Sequence, residues 1–454
     1  MKLIASGKNT DGVQRATAAP RLLHQGTVYL GTRAANGALA LLHVWAVTRA
    51  LGASEAGHFF MVWTAAWLLS VVVRFGTDGV AARALAEADV AGERPPSLLP
   101  LLLVGGSCGL VLLLPTVTLL GLPLTPPVVA ATATLTALWA TTGFTASVLK
   151  ARGRADLSGV VQNVLWPAAP TVVALIAIAT VSSWTVLAVA TAAAAFAALV
   201  AAISLAWRAL GSELLLALVA RGTPRTRVRR DELGAAVLTT FAEVFVWLPV
   251  VIGAVIGLSS AAMAGLFAAT RVAGVFSWGY QAVVATLVAD LARSVAQRNS
   301  SLARRLLARG SLFGVGITLP PCLVGALFAE RLLSLFDAAY TEWGTTLALL
   351  IAARLLDAAA GPQGEILLVG RRASVGATCV GSACLAGVAL AALLEPAFGR
   401  DAVGAGALCT FVLANGSQAA YVWGWTRSWR AQPDETAVVA VDTPSSYARC
   451  AAIR

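Results

Sequence analysis

Apolar stretches of about twenty residues recur some twelve times along this chain, with only short polar connections between them. A helix rises 1.5 Å per residue, so about twenty residues cross the hydrocarbon core of a bilayer. The stretches are 27–48, 57–80, 98–120, 127–149, 158–180, 184–206, 233–256, 260–284, 310–330, 343–368, 373–394 and 402–425. Composition agrees, since only 12% of the 454 residues are charged and 58% are hydrophobic. A soluble domain carries about 25% charged residues. The expected fold is therefore an all-α polytopic membrane protein of about twelve transmembrane helices.

The net charge of +11 raises the question of nucleic acid, but its placement answers it. Of the 33 Lys and Arg residues, 26 fall in the two tails and the alternate loops. Arg49, Arg331 and Arg400 fall at the opposite helix ends. This is the positive-inside asymmetry, and it predicts both termini in the cytoplasm. The basic charge is thus an orientation signal with affinity for anionic headgroups, and no nucleic-acid partner is expected.

The expected organisation is a basic cytoplasmic N-tail over 1–26, a six-helix lobe over 27–206 and a basic linker over 207–232. A second six-helix lobe over 233–426 and a disordered C-tail over 427–454 follow. Leu214–Val219 and Leu302–Leu307, in the two longest inner connections, are amphipathic and predicted to lie on the membrane surface. A faint repeat supports the two lobes. Leu51-Gly52-Ala53-Ser54-Glu55-Ala56 aligns with Ile256-Gly257-Leu258-Ser259-Ser260-Ala261 at an offset of 205 residues. Six helices per lobe make these parallel repeats about an axis along the membrane normal.

Four arginines, Arg33, Arg74, Arg271 and Arg354, lie inside spans. At the bilayer centre each costs about 2.5–3.5 kcal/mol. Such groups must face water, a polar interior or an opposite charge. Helical spacing groups them with other polar residues. Trp63, Trp67, Ser70, Arg74, Thr77 and Asp78 form one stripe on span 2. Arg33, Asn36 and His43 share a face of span 1; Thr240, Glu243 and Trp247 of span 7; Arg271, Gly274, Trp278 and Gln281 of span 8. Arg354, Asp357, Gly361 and Glu365 do so on span 10. Spans 3, 6, 9 and 11 carry almost no ionisable groups. Spans 1, 2, 7 and 8 are therefore expected to line a cationic central cavity, with the others facing lipid.

Several of these residues have a second, structural reading. Arg74 and Asp78 are four apart and able to neutralise each other; Arg354 and Asp357 are three apart and read as a structural pair. Arg33 is near enough to the inner boundary to snorkel. Arg271 has no acidic neighbour in its own span, and Glu243 is its nearest candidate partner. Trp45 and Trp343 read as interfacial anchors.

No phosphate-binding Gly-x4-Gly-Lys-Ser/Thr loop and no His-Glu-x-x-His occurs, and three histidines build no convincing metal site. The six cysteines lack metal spacing and read as small core groups. No cofactor and no metal are expected. Nor does a large outer loop exist to carry catalytic residues.

The segment Thr48-Arg49-Ala50-Leu51-Gly52-Ala53-Ser54-Glu55-Ala56-Gly57-His58-Phe59-Phe60 resembles the R-x-L-G turn and Gly-aromatic opening near the start of the polysaccharide flippases. Arg74-Phe75-Gly76-Thr77-Asp78-Gly79-Val80-Ala81-Ala82-Arg83 resembles their span 2 end, and Gly361-Pro362-Gln363-Gly364-Glu365-Ile366-Leu367-Leu368-Val369-Gly370-Arg371-Arg372 their span 10 exit. With the twelve spans, the likeness covers most of the chain. The family is the Wzx-type branch of the multidrug/oligosaccharidyl-lipid/polysaccharide (MOP) exporter superfamily. The resemblance implies a V-shaped, two-lobed, MATE-like transporter in the bacterial cytoplasmic membrane. It would flip an undecaprenyl-pyrophosphate-linked oligosaccharide to the outer leaflet by alternating access, for surface polysaccharide biosynthesis. The related peptidoglycan precursor flippases carry arginines on spans 1, 2 and 8, where Arg33, Arg74 and Arg271 fall here.

The expected substrate site is Arg33, Asn36, Trp67, Arg74, Arg271, Trp278 and Gln281, with the guanidinium groups on phosphate and the indoles on sugar rings. Asp78, Glu243 and Asp357 are the candidates for ion coupling. Expected partners are the anionic lipid-linked glycan, membrane lipids and polysaccharide polymerase or export proteins. The alternatives are a drug or metabolite antiporter of the same fold, and a membrane glycan polymerase or ligase.

Overall fold

A computed structural model describes residues 10–76, 99–152, 154–181, 183–211 and 230–429. Among these residues every regular element is a helix. The first, α1, runs Thr10–Arg74. Its 65 residues would make a rod of about 100 Å, three times the hydrocarbon thickness. It breaks at Gly52, whose φ of 72° and ψ of 172° suit a residue without Cβ. The ring of His43 lies 4.6 Å from that of Trp63. Twenty residues apart on a straight helix, the two would stand about 30 Å apart. So α1 is a hairpin of two limbs, which are the predicted spans 1 and 2.

The first half continues with α2 (Leu99–Leu119) and α3 (Pro126–Ala151). Next come α4 (Ala155–Val160), a π-turn over Val161–Leu165 and α5 (Trp166–Thr180), then α6 (Trp184–Leu210). The second half opens with α7 (Arg230–Val255), α8 (Ser260–Val275) and α9 (Trp278–Ala296). It continues with α10 (Ser300–Leu327), α11 (Ala329–Ser334) and a 3-10 turn over Ala338–Trp343. The last elements are α12 (Gly344–Ala360), α13 (Gln363–Val369), α14 (Ala373–Phe398) and α15 (Asp401–Arg427).

Nine helices among the described residues are long and apolar enough to span, and the bent pair α8–α9 makes a tenth. That count takes α1 once although it folds into two limbs, and leaves out α15, which carries Asn415, Ser417 and Gln418 in mid-helix. Twelve membrane-length segments result. The turn between α7 and α8 repeats the tip of α1: Gly257 has φ 77°, at the predicted offset from Gly52.

Burial separates centre from rim. The apolar window of α1 is 72% buried, against 22% in α2 and 28% in α10 and α14. The rim helices present large side chains outward, such as Leu110, Phe196, Leu312 and Leu393. α1 packs on α2, α3 and α5 of its own half and on α8 across the molecule.

Four expectations need correction. Span 8 is not one helix: α8 and α9 meet at 44° around Phe276 and Ser277. Span 10 breaks at Gly361, φ 78°, where Pro362 supplies no backbone donor. Span 9 starts ten residues early. The Asn299 side chain accepts from Leu302 N at 2.9 Å and caps α10, and Leu306 and Leu307 pack against Leu291 and Ile366 instead of lying on the membrane surface. Trp343 is no interfacial anchor; it is 2% exposed, with its indole against Gly265 of α8. Asp78 and Leu214–Val219 lie outside the described residues.

Candidate functional site

Five indoles meet where the two halves join. Trp67 stacks on Trp166 with centroids 4.4 Å apart and planes at 11°. Trp139 lies edge-on to Trp63 at 4.6 Å and 5.7 Å from Trp166. These four come from α1, α3 and α5 of the first half. Trp67 also lies 6.2 Å from Trp247 of α7, across the junction. Beside it, Phe60 stacks on Phe267 of α8 at 4.2 Å with planes at 5°. The expected open cavity is thus an aromatic box, packed shut in this structure.

Arg271 sits in that box. Its guanidinium carbon lies 4.2 Å from the Trp247 centroid and 5.3 Å from that of Phe267. The Glu243 carboxylate, four residues before Trp247, does not reach it: among the described residues Arg271 has no ion pair within 4.0 Å. The charge rests on ring faces alone. The neighbouring His43, on the first limb of α1, is buried against Phe59 and Trp63, and both its ring nitrogens lack a hydrogen-bond partner.

The other arginines stand at a different depth. The hairpin register that sets His43 beside Trp63 puts Arg33 level with Arg74, about 15 Å further from the Gly52 tip. Arg74 is buried and packs along Gly143 of α3, where a Cβ would lie 2.9–3.1 Å from its Cδ, Nη1 and Nε. It follows Trp67 by seven residues, about 10 Å along the limb. The three predicted arginines therefore form two layers instead of one ring.

Trp278, just past the α8–α9 bend, lays its indole on Gly37 of the first limb. A Cβ at Gly37 would fall 1.2 Å from Trp278 Cη2. Asn36 adjoins this seat and is half-buried; Gln281 is exposed and donates to Ser277 Oγ at 3.1 Å. Trp67 is unavailable to a sugar ring here, because its face is taken by Trp166.

Asp357 and Arg354 make no direct ion pair within 4.0 Å among the described residues, yet each is the other's electrostatic neighbour, so the predicted pair is one of charge without contact. The Asp357 Oδ1 accepts from Asn415 Nδ2 of α15 at 3.2 Å, and Arg354 lies 4.9 Å over the Phe411 ring. At the Gly52 end the halves touch closely. Ser54 Oγ and Ser260 Oγ are 3.2 Å apart, Thr48 Oγ1 and Tyr340 Oη 3.4 Å. A Cβ at Gly57 would meet the Ser260 carbonyl oxygen at 1.7 Å.

Sequence reasoning set Trp63 and Trp247 on cavity-facing stripes but missed Trp139 and Trp166 as members of the box. The signal was their depth: each falls well inside a predicted span, whereas interfacial tryptophans gather at span ends.

Solved structures share this architecture. A multidrug resistance MATE family transporter of the MOP superfamily, in an inward-facing conformation, matches with a TM-score of 0.66 at 14% identity, over 90% of this chain and 99% of its own. The MATE transporter VcmN of Vibrio cholerae gives 0.61 at 16%, over 91% and 98%. A MOP superfamily transporter from Pyrococcus furiosus, described for the reverse polarity of its binding pocket, gives 0.58 at 14%, over 90% and 95%. No family profile matches the chain, and no curated protein does. At these identities the likeness defines the fold alone: an all-helical, multi-pass, MATE-like architecture.

Proposed function

We propose that this protein is a secondary transporter, not an enzyme, that flips an undecaprenyl-pyrophosphate-linked oligosaccharide across the bacterial cytoplasmic membrane for surface polysaccharide synthesis. The observation that carries this reading is Arg271: a mid-membrane cation at the junction of the halves, with ring faces and, among the described residues, no carboxylate as partners. A cation–π contact returns about 2 kcal/mol when desolvated. Burial of the arginine costs about 3 kcal/mol. The remainder favours an anion, and guanidinium pairs its donors with phosphate oxygens. Arg33 and Arg74, one layer nearer the basic helix ends, receive the pyrophosphate first; Arg271 takes it at mid-depth. Asn36, Gln281 and Trp278 face the glycan near that entry layer. Asp357, held by Asn415, and Glu243 supply ion coupling, as does Asp78.

A second reading, a drug or metabolite antiporter, is favoured by the aromatic box, which suits flat apolar cargo, and by the fold shared with a multidrug MATE transporter. Cells carrying Arg271→Ala separate the two. Surface glycan falls at least ten-fold while the protein level holds, if the cargo is a lipid-linked glycan. Unchanged glycan together with lost dye efflux would replace the flippase by the antiporter.

A further inference from the structure

A second cationic site lies at the basic ends of α10 and α15, far from the aromatic box along the chain and unused by the transport reading. Trp423, in the last turns of α15, is 51% exposed. Two guanidinium groups rest on its indole: Arg304 of α10 at 4.5 Å and Arg427 of α15 at 4.9 Å from the ring centroid. The two cations are thus no further apart than those two distances laid end to end. Neither has an ion pair among the described residues, and Arg304 Nε is buried without a hydrogen-bond partner. The nearest acidic side chain on the neighbouring turns of either helix is missing: 300–312 and 416–429 contain no Asp or Glu.

The surroundings define the ligand. Leu306, Leu307 and Val422, next to these residues in sequence, belong to one buried cluster, while the indole is half exposed near the end of α15 and beside the first turns of the spanning helix α10. An exposed tryptophan at that level marks the boundary between hydrocarbon and headgroup. Two like charges held on one ring at this boundary repel each other until an anion lies between them. We propose that Arg304, Trp423 and Arg427 form a binding site for the phosphate of an anionic phospholipid, with its glycerol and acyl part along the indole and the apolar rim of α10. Basic pockets between transmembrane helices take such headgroups. The lipid is preferred to free phosphate because the open face of the site is the membrane-facing side of an exposed indole.

Native mass spectrometry of the full-length protein in detergent tests this, with dioleoylphosphatidylglycerol as the probe, dioleoylphosphatidylcholine as the neutral control, and inorganic phosphate as competitor. Wild type retains phosphatidylglycerol in preference to phosphatidylcholine, and millimolar phosphate does not displace it. The double variant Arg304→Gln, Arg427→Gln weakens phosphatidylglycerol binding about ten-fold. Arg304→Lys, Arg427→Lys keeps the charges and holds the loss to less than that. A second double variant, Arg305→Gln with Arg309→Gln, removes the same charge from exposed positions of the same helix and changes binding by less than two-fold. Equal loss in the two glutamine variants would mean diffuse surface charge and overturn the site. Displacement by millimolar phosphate would overturn the lipid assignment. A variant that runs as an aggregate on size exclusion is replaced by Trp423→Ala, for which the same ten-fold loss is expected and an unchanged affinity overturns the proposal.

Discussion

Arg271 illustrates how a charge is kept inside a bilayer with no acidic partner among the described residues. Its guanidinium lies on Trp247 and reaches Phe267, two rings brought by α7 and α8. Deleting the ring removes the cation–π contact and leaves a cavity, so Trp247→Ala costs about 3–5 kcal/mol in a buried position. Trp247→Phe preserves a ring face and a smaller volume loss. Thermal unfolding of the purified variants should rank wild type above Phe and Phe well above Ala; equal losses would mean the ring face is irrelevant. The polar stripe on α1 was legible from spacing alone, because Arg74 and Trp67 had to leave the lipid. Its destination was not legible. Trp67 turned inward onto Trp166, a residue of α5 that no pattern on span 2 indicates. Likewise the i, i+3 spacing of Arg354 and Asp357 permits an ion pair, but Asn415 and Phe411 of α15 outcompete it.

Elements follow hydropathy closely until the chain bends. Uniform apolarity over 260–284 and 343–368 hides breaks, because periodicity reports which face is buried and not whether the axis is straight. The breaks have local causes. Gly361 adopts φ 78°, and a Cβ there would also meet Ser311 Oγ at 2.5 Å, so Gly361→Ala costs about 1–3 kcal/mol by backbone strain. A chemical-denaturation or thermal shift of that size is the check, and an unaffected variant would mean that the break is soft. The Asn299 cap gives a milder prediction. Asn299→Ala removes the acceptor for Leu302 N and costs about 1 kcal/mol, read the same way. The faint repeat proved informative beyond its three identities: Gly52 and Gly257 both take positive φ at the same place in the two halves.

The whole molecule is closed at its Gly52 end, where Ser54, Gly57 and Phe60 of α1 meet Ser260 and Phe267 of α8. Alternating access requires this contact to part. Ser54→Cys with Ser260→Cys, made in a background where the native cysteines are serine, should crosslink readily, since the two Oγ atoms are 3.2 Å apart. The crosslink should arrest transport and dithiothreitol should restore it; full transport by the crosslinked protein would show that this contact does not open. The all-helical, multi-span fold class was thus legible in composition and span count, while the layering of Arg33 and Arg74 against Arg271 needed the hairpin register. The most direct test of the cationic site is flipping by purified protein in proteoliposomes, read as exposure of a pyrophosphate-linked oligosaccharide to an added lectin. Wild type should translocate the glycolipid, Arg271→Lys should retain part of the rate, and Arg271→Ala should lose at least ten-fold. Wild-type flipping by Arg271→Ala would contradict the assignment of Arg271 as the phosphate ligand.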